Sequence, residues 1–121
     1  MPPVRDIKQL SGKKLFALEK RARDIRVDLL TMLEAAGSGH SAGPLGLADI
    51  FTALYFHVLV HNPKKPNMKD RDRLILSCGH TVPIRYTAMA HAGYFPKSEL
   101  ATLRQFGSRL QGHPEMTHLP G

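Results

Sequence analysis

The first third of the chain carries a regular alternation of apolar and polar positions. Apolar side chains recur at spacings of three and four residues, a pattern typical of an α-helix with one buried face. This stripe consists of Leu15, Leu18, Ala22, Ile25, Leu29, Met32 and Ala36. We predict a single helix from Ser11 to Ala36, which Gly37 ends because glycine readily adopts the left-handed conformation of a helix C-terminus.

Three further helices are predicted downstream. Pro44 suits the first turn of a helix, and the apolar spacing that follows extends this helix to about Leu59. A polar connector broken by two prolines, Asn62–Asn67, cannot continue it. The other two helices are predicted over Pro83–Ala92 and over about Lys97–Phe106, each followed by a glycine.

A short apolar run lies between the second and third predicted helices. Arg73–Ser77 reads Arg-Leu-Ile-Leu-Ser, a pattern typical of a strand buried on both faces. A lone strand cannot satisfy its own backbone N–H and C=O groups and needs neighbouring strands. We therefore expect an α/β fold that is mostly helical, with one short buried strand, and we expect these residues to be part of a larger domain.

Composition changes this picture little. The chain has 121 residues, enough for one modest domain, and 42% of them are hydrophobic. The net charge of +7 is compatible with nucleic acid or with phosphorylated metabolites. The most basic stretch, Lys8–Arg26, is interrupted by Glu19 and Asp24, and no nucleic-acid-binding motif accompanies it. We therefore expect a solvated helix face and no nucleic-acid partner.

Cysteine content and hydropathy bear on the compartment. Cys78 is the only cysteine, which excludes a disulfide within the chain and fits a reducing environment. No apolar run approaches the roughly 20 residues that span a bilayer, and the first residues lack the apolar segment of a signal peptide. We expect a cytoplasmic protein that has no membrane partner.

Three short loops pair a glycine with a histidine at the boundaries of predicted elements. They read Gly-Ser-Gly-His at 37–40, Ser-Cys-Gly-His at 77–80 and Leu-Gln-Gly-His-Pro-Glu at 110–115. Glycine allows unusual backbone angles and close approach of a ligand, while histidine donates or accepts protons near neutral pH. The candidate catalytic residues are therefore His40, His80 and His113, on loops carried by a rigid frame.

The remaining histidines and three arginines are ambiguous. His57 and His61 have a spacing that could bind a metal, but no acidic or cysteine third ligand has suitable context, so we predict surface or helix-end histidines. The same interpretation applies to His91 and His118. For Arg85 the sequence leaves open a role facing solvent, an anionic group or a partner subunit. For Arg104 and Arg109 it leaves open a solvated helix end or contact with sugar phosphates.

Taken in order, the loops resemble the N-terminal part of transketolases. The matching strings are Gly-Ser-Gly-His-Ser-Ala-Gly-Pro-Leu-Gly, Arg-Asp-Arg-Leu-Ile-Leu-Ser-Cys-Gly-His, Gly-Tyr-Phe and Phe-Gly-Ser-Arg-Leu-Gln-Gly-His-Pro-Glu. Their order and spacing match from about residue 15 to the last residue. The likeness is greatest to the split form, in which separate N- and C-terminal chains make one enzyme.

The resemblance implies a fold, a reaction and partners. Residues 1–121 would be the N-terminal portion of a diphosphate-binding domain, which holds thiamin diphosphate together with a pyrimidine-binding domain or chain, usually in a dimer. Transketolases move a two-carbon ketol unit from a ketose phosphate to an aldose phosphate, in carbohydrate metabolism and the pentose phosphate pathway. By resemblance, His40 lies near the reacting carbonyl, His80 contacts the cofactor diphosphate and the donor hydroxyls, and His113 hydrogen-bonds the ketol hydroxyl.

Some family features are changed or missing. Ser41 replaces a common proline and Cys78 a common asparagine or lysine, while Arg85 stands where many relatives have an apolar residue. The Gly-Asp-Gly motif that binds Mg²⁺ does not occur, so we predict no metal ligand in this chain. A diphosphate is hard to hold without its metal. We therefore expect the isolated chain to be inactive.

Three alternatives stay open. The first is a truncated, non-catalytic relative that acts as an interaction module. The second is another thiamin-diphosphate enzyme, such as a deoxyxylulose-phosphate synthase. The third, a small basic helical domain that binds nucleic acid, is disfavoured by the dispersed charge.

Overall fold

The computed structural model describes residues 9–121, and its longest element is the first predicted helix. Helix α1 runs over Gly12–Ala36. The Ser11 hydroxyl accepts a hydrogen bond from the Lys14 N–H at 3.2 Å, and Gly37 ends the helix with a φ of 66°. The middle of the predicted stripe is buried, from Ala22 to Met32. Leu15, at its start, is 47% exposed and lies outside the core.

The second predicted helix is present as consecutive segments. Helix α2 covers Ala42–Gly46 and helix α3 covers Ala48–Ala53, and a π-helical turn, Leu54–Val58, completes the element. In that turn the Leu59 N–H reaches back to the Leu54 carbonyl at 2.8 Å, five residues earlier. The predicted end at about Leu59 is confirmed to within one residue.

Helix α4, Val82–Ala92, confirms the third predicted helix and forms the centre of the molecule. A 3₁₀ turn, Gly79–Thr81, leads into it, and Gly93 ends it with a φ of 100°. Helix α4 packs against α1, α2 and α3. The fully buried side chains with the largest volumes include Tyr86, Ile25, Leu29, Met32, Ile84, Leu103 and Leu110.

The predicted strand Arg73–Ser77 is wrong as a regular element. Within residues 9–121 there is no strand, and these five residues have neither helix nor strand geometry. Leu74 and Leu76 are partly buried against the core, whereas Ile75 is 88% exposed. A strand needs backbone hydrogen bonds to a neighbour, and the described residues provide none here. This apolar run is therefore buried on one side only.

The fourth predicted helix, Lys97–Phe106, is confirmed at its start but is wrong in its type and its end. A 3₁₀ helix occupies Lys97–Thr102, and Phe106 is fully exposed. The cause lies in the following loop, where the Arg104 N–H donates to the Leu110 carbonyl at 2.8 Å and Arg104 takes a φ of 61°. This turn inserts Leu110 into the core at 0% exposure, so burial of one leucine competes successfully with continuation of the helix.

Among residues 9–121, no helix is both long enough and apolar enough to cross a membrane.

Candidate functional site

The imidazole rings of the first two glycine–histidine loops lie in direct contact. The ring centroids of His40 and His80 are 5.0 Å apart and their planes are inclined by 64°, an edge-to-face geometry that aromatic rings prefer. Gly39 adopts a φ of 128°, and a Cβ there would lie 2.7 Å from Leu33 Cδ2. Glycine is therefore required at position 39 for the turn that leads from α1 to His40.

The same two loops pack backbone to side chain beyond their histidines. A Cβ at Gly43 would lie 2.9 Å from Thr81 Cγ2, so the absence of a side chain allows this close approach. Thr81 is itself held by its hydroxyl, which donates to the Cys78 carbonyl at 2.7 Å, and by its N–H, which donates to the same oxygen at 2.9 Å. The second loop is therefore a short, hydrogen-bonded turn that carries His80 at the start of α4.

The third loop places the His113 ring against Gly79 of the second loop. A Cβ at Gly79 would lie 2.5 Å from His113 Cδ2, which means that the imidazole occupies the space that any side chain at 79 would need. The Tyr86 hydroxyl of α4 donates to the Gln111 carbonyl at 2.7 Å and lies 3.3 Å from the His113 carbonyl. The three histidines are therefore brought to one place, from loops that are far apart in the sequence.

These three histidines are open to solvent. The side-chain nitrogens of His40, His80 and His113 have no hydrogen-bond partner within the described part of the chain, and all three residues are exposed. An imidazole whose nitrogens are free can donate to one oxygen and accept from another. The histidine cluster, defined as His40, His80 and His113, is therefore equipped to bind hydroxyl or phosphate oxygens and to move protons.

A metal site is not formed by the residues that the structure describes. No group of three or more histidine, cysteine, aspartate or glutamate side chains lies close enough together between residues 9 and 121. The His57 and His61 pair does not chelate, because the His61 ring is held by the Tyr94 hydroxyl and the Tyr55 carbonyl, each at 2.7 Å. His61 therefore has a structural role near the end of the π-helical turn.

His91 lies at the end of α4, as predicted, but its side chain does not face solvent. Its side chain is 0% exposed, and its Nε2 lies 2.6 Å from an Asp28 carboxylate oxygen. Its Nδ1 lies 3.5 Å from an Arg21 guanidinium nitrogen. Burial lowers the pKa of His91, and this effect outweighs the hydrogen bond to Asp28 that acts in the opposite direction. His91 therefore joins α1 to α4.

The three arginines whose roles the sequence leaves open lie in different surroundings. Arg109 forms a bidentate ion pair with Glu99, with both distances at 2.8 Å. Arg85 lies beside the Tyr55 hydroxyl: burial raises the pKa of Tyr55, and the positive charge of Arg85 partly offsets that rise. The Arg104 side chain runs past Gly112, next to the third loop. Of these three arginines, Arg104 is the one whose side chain lies against the glycine that precedes His113.

A groove borders the third histidine loop but includes none of the cluster histidines. The groove, of about 530 Å³, is lined by the predicted strand segment, by one side of α4 and by the last residues of the chain. None of the three candidate histidines lines it. The groove adjoins Leu74 and Leu76, the apolar residues of the predicted strand, which are only partly buried.

Sequence reasoning missed Tyr86 as part of this site. A tyrosine in the middle of an apolar helix is a usable signal, because a buried phenol nearly always finds a hydrogen-bond partner. The sequence alone does not tell where that partner lies, and in the structure it is the backbone of the third histidine loop.

The chain is similar in sequence to proteins of known activity. The family model described as "Transketolase, thiamine diphosphate binding domain" matches residues 18–121. The transketolase of Pongo abelii is 39% identical over 102 residues, covering 84% of this chain and 16% of that protein. Transketolase 2 of Escherichia coli (strain K12) is 42% identical over 101 residues, covering 83% of this chain and 15% of that protein.

Solved structures give the same result. Transketolase from Leishmania mexicana superposes with a TM-score of 0.82 at 36% identity, covering 86% of this chain and 16% of that one. A Pichia stipitis transketolase in complex with sedoheptulose 7-phosphate gives a TM-score of 0.81 at 37% identity, with 86% and 15% covered. The chain belongs to the transketolase family, in its thiamine-diphosphate-binding domain. It spans about 16% of the length of the relatives that it matches.

Proposed function

We propose that this chain supplies the histidine side of a transketolase active site. The complete enzyme would move a two-carbon ketol unit from a ketose phosphate to an aldose phosphate, within the pentose phosphate pathway and in the cytoplasm. The observation that supports this most directly is the assembly of His40, His80 and His113, with two rings 5.0 Å apart and the third packed on Gly79.

The chemistry proposed for the cluster follows from its free nitrogens. Ketol transfer removes and returns protons on sugar hydroxyls while negative charge develops on a carbonyl oxygen. Neutral imidazole accepts a proton and imidazolium donates one, so exposed histidines beside the substrate serve both steps. In our proposal His40 faces the reacting carbonyl, His80 contacts the diphosphate and the donor hydroxyls, and His113 hydrogen-bonds the ketol hydroxyl.

Thiamin diphosphate would supply the carbanion chemistry when bound. The loops are suited to such a ligand, because their three exposed imidazoles present nitrogens that have no partner among the described residues. The Mg²⁺ that accompanies the diphosphate needs oxygen ligands, and the described residues form no acidic cluster that would hold it. We propose that the rest of the protein provides those ligands.

Because the described residues do not hold the metal, the proposed active site needs further partners. Residues 1–121 would be the N-terminal portion of a diphosphate-binding domain whose further strands cover the Leu74–Leu76 segment. A pyrimidine-binding domain, on the same chain or on a separate one as in the split form, would complete the site within a dimer or larger oligomer. The isolated chain would then be inactive.

A chimeric enzyme tests this proposal. This chain would replace the matched segment of Escherichia coli transketolase 2, and ketol transfer would be measured with thiamin diphosphate and Mg²⁺. We expect activity, and we expect His113→Ala to lower kcat by about 10² to 10⁴-fold, the usual contribution of a positioned acid or base. The matched control is His118→Ala, since His118 is exposed and outside the cluster.

The results separate the alternatives. An inactive but folded chimera would favour the non-catalytic interaction module. Activity only with the donor substrates of deoxyxylulose-phosphate synthases would favour that related enzyme. Turnover in His113→Ala equal to that of the parent chimera would contradict the role given to His113.

A further inference from the structure

The buried phenol of Tyr86 connects helix α4 to the third histidine loop. Tyr86 is 1% exposed and lies in the middle of the helix. Its hydroxyl donates to the Gln111 carbonyl at 2.7 Å, and the His113 carbonyl lies within 3.3 Å of the same oxygen. A hydroxyl has one hydrogen, so the shorter bond to the Gln111 carbonyl is the principal one. The His113 carbonyl is a weaker, second acceptor of the same hydrogen.

The loop has few other attachments at this point. Leu110 is anchored in the core, and its carbonyl accepts the Arg104 N–H at 2.8 Å. Beyond it, the Gln111 and His113 carbonyls receive no other hydrogen bond from the residues that the structure describes. Tyr86 is therefore the polar attachment of this stretch of backbone to the helical core.

The helix that carries Tyr86 is continuous with the turn that carries Gly79. The 3₁₀ turn Gly79–Thr81 runs directly into α4, so Gly79 and Tyr86 belong to one frame. The third loop contacts this frame at two points. Its backbone meets the Tyr86 hydroxyl, and its His113 ring rests on Gly79, where a Cβ would lie only 2.5 Å from Cδ2.

We infer that Tyr86 is a positioning residue for His113: its hydroxyl fixes the third loop on α4 so that the His113 imidazole lies over Gly79, the residue that precedes His80. The importance of this arrangement for turnover rests on the function proposed above, whereas the arrangement itself does not. Burial raises the pKa of Tyr86 to about 12, so the phenol keeps its proton and remains a donor at neutral pH.

Tyr86→Phe and Tyr94→Phe make a matched pair of variants. Both remove one hydroxyl from a tyrosine, but the Tyr94 hydroxyl is bonded to His61, away from the third loop. The first measurement is by NMR on the 121-residue chain, where the contact predicts a nuclear Overhauser effect between the His113 ring Hδ2 and a Gly79 Hα. We expect Tyr86→Phe to weaken it at least threefold and Tyr94→Phe to leave it unchanged.

The second measurement uses the chimeric enzyme. We expect Tyr86→Phe to lower kcat by about tenfold with KM changed less than twofold, because His113 would be misplaced while the other contacts to substrate remain. Tyr94→Phe should keep kcat within twofold of the parent. A merely structural role of Tyr86 would reduce the amount of folded enzyme, measured by circular dichroism, without changing kcat per folded molecule.

The outcomes distinguish the inference from the function on which its relevance rests. An unchanged Overhauser effect in folded Tyr86→Phe overturns the positioning role. A weakened effect with unchanged kcat confirms the positioning and contradicts the proposed role of His113. If Tyr86→Phe unfolds the 121-residue chain, the chimera decides: a kcat within twofold of the parent overturns the inference, and a tenfold loss supports it.

Discussion

The interface between α1 and α4 and the cluster of histidine loops both contain imidazoles, but their surroundings are opposite. At the interface, the His91 side chain is buried and both of its ring nitrogens face charged groups, Asp28 on one side and Arg21 on the other. In the loop cluster, the rings are exposed and, among residues 9–121, their nitrogens have no hydrogen-bond partner. The difference indicates which histidines hold the fold and which are available to a ligand.

The hydrogen bonds of His91 also define its tautomer. A guanidinium only donates, so Nδ1 must accept from Arg21 and Nε2 must carry the hydrogen that is donated to Asp28. A second proton would point at the Arg21 guanidinium, and Lys97 adds further positive charge nearby. Burial and these positive charges lower the pKa of the interface histidine and so favour its neutral form.

Among the substitutions that test this difference between the interface and the loop cluster, Gly79→Ala is expected to have the largest effect. The new Cβ would meet the His113 ring at 2.5 Å, so the ring must move. A displacement of about 1 Å in a catalytic group costs up to 10²-fold in rate, or about 2.7 kcal/mol. We expect kcat of the chimeric enzyme to fall about 10- to 100-fold with little change in stability. Gly12→Ala is the control, because its Cβ meets nothing within 4 Å.

His91→Ala is expected to have the opposite effect from Gly79→Ala, a loss of stability rather than of kcat. Removing the ring leaves Asp28 and Arg21 without their partner at the α1–α4 interface, which should cost about 1–3 kcal/mol of unfolding free energy. Asp28 is 36% exposed, so water replaces part of the loss and the lower end of that range is expected. His80→Ala should cost about 0.5 kcal/mol or less. The free energies of unfolding of both variants would be measured in urea. Equal losses of stability would contradict the prediction.

Much of the helical half could be predicted because its information is local. The stripe of α1, its Ser11 cap and its Gly37 stop are all readable from spacing and residue type, and α4 with Gly93 follows the same rules. The loop cluster was identified by its glycine–histidine strings and their likeness to a family. Neither approach predicts that His113 would rest on Gly79, because that contact depends on the turn that Leu110 imposes from the core.

Two predictions, the strand and the extent of the fourth helix, are wrong for the same reason: tertiary contacts override local propensity. Lys97–Phe106 has a helical pattern, but the Arg104 N–H bonds to Leu110 across a loop and the helix stops at Thr102. Arg73–Ser77 has the composition of a buried strand, but a strand exists only through its neighbours. The sequence therefore specifies which segments seek burial more reliably than the partners that bury them.

A fall in pH is expected to lower the unfolding free energy through His91 at the α1–α4 interface. Because the pKa of His91 is lowered on folding, the folded state binds fewer protons than the unfolded state below about pH 6.5. Its contribution to stability is complete above that pH and declines as the pH falls through the folded pKa. Unfolding free energies measured from pH 8 to pH 5 should decrease in the wild type. The slope should be smaller in His91→Gln.

Carboxylates act in a lower window and do not confuse this test. Hydrogen bonds from Arg109 and Arg26 lower the pKa values of Glu99 and Asp49, so their stabilisation is present above their ordinary values of 4.5 and 3.8 and is lost only below them. A wild-type slope between pH 6.5 and 5 that persists fully in His91→Gln would show that the interface histidine is not its origin.

The smallest effect is expected at Arg109, and it separates a structural arginine from one that binds substrate phosphate. Arg109 is held by both Glu99 oxygens at 2.8 Å, and its side chain is 45% exposed. An exposed pair of this kind contributes about 0.2–1 kcal/mol. Arg109→Ala should therefore lower stability by that amount, much less in a Glu99→Gln background, and leave KM for the aldose phosphate within twofold. A tenfold rise in KM at unchanged stability would instead assign Arg109 to the substrate, through the guanidinium hydrogens that the Glu99 carboxylate does not engage.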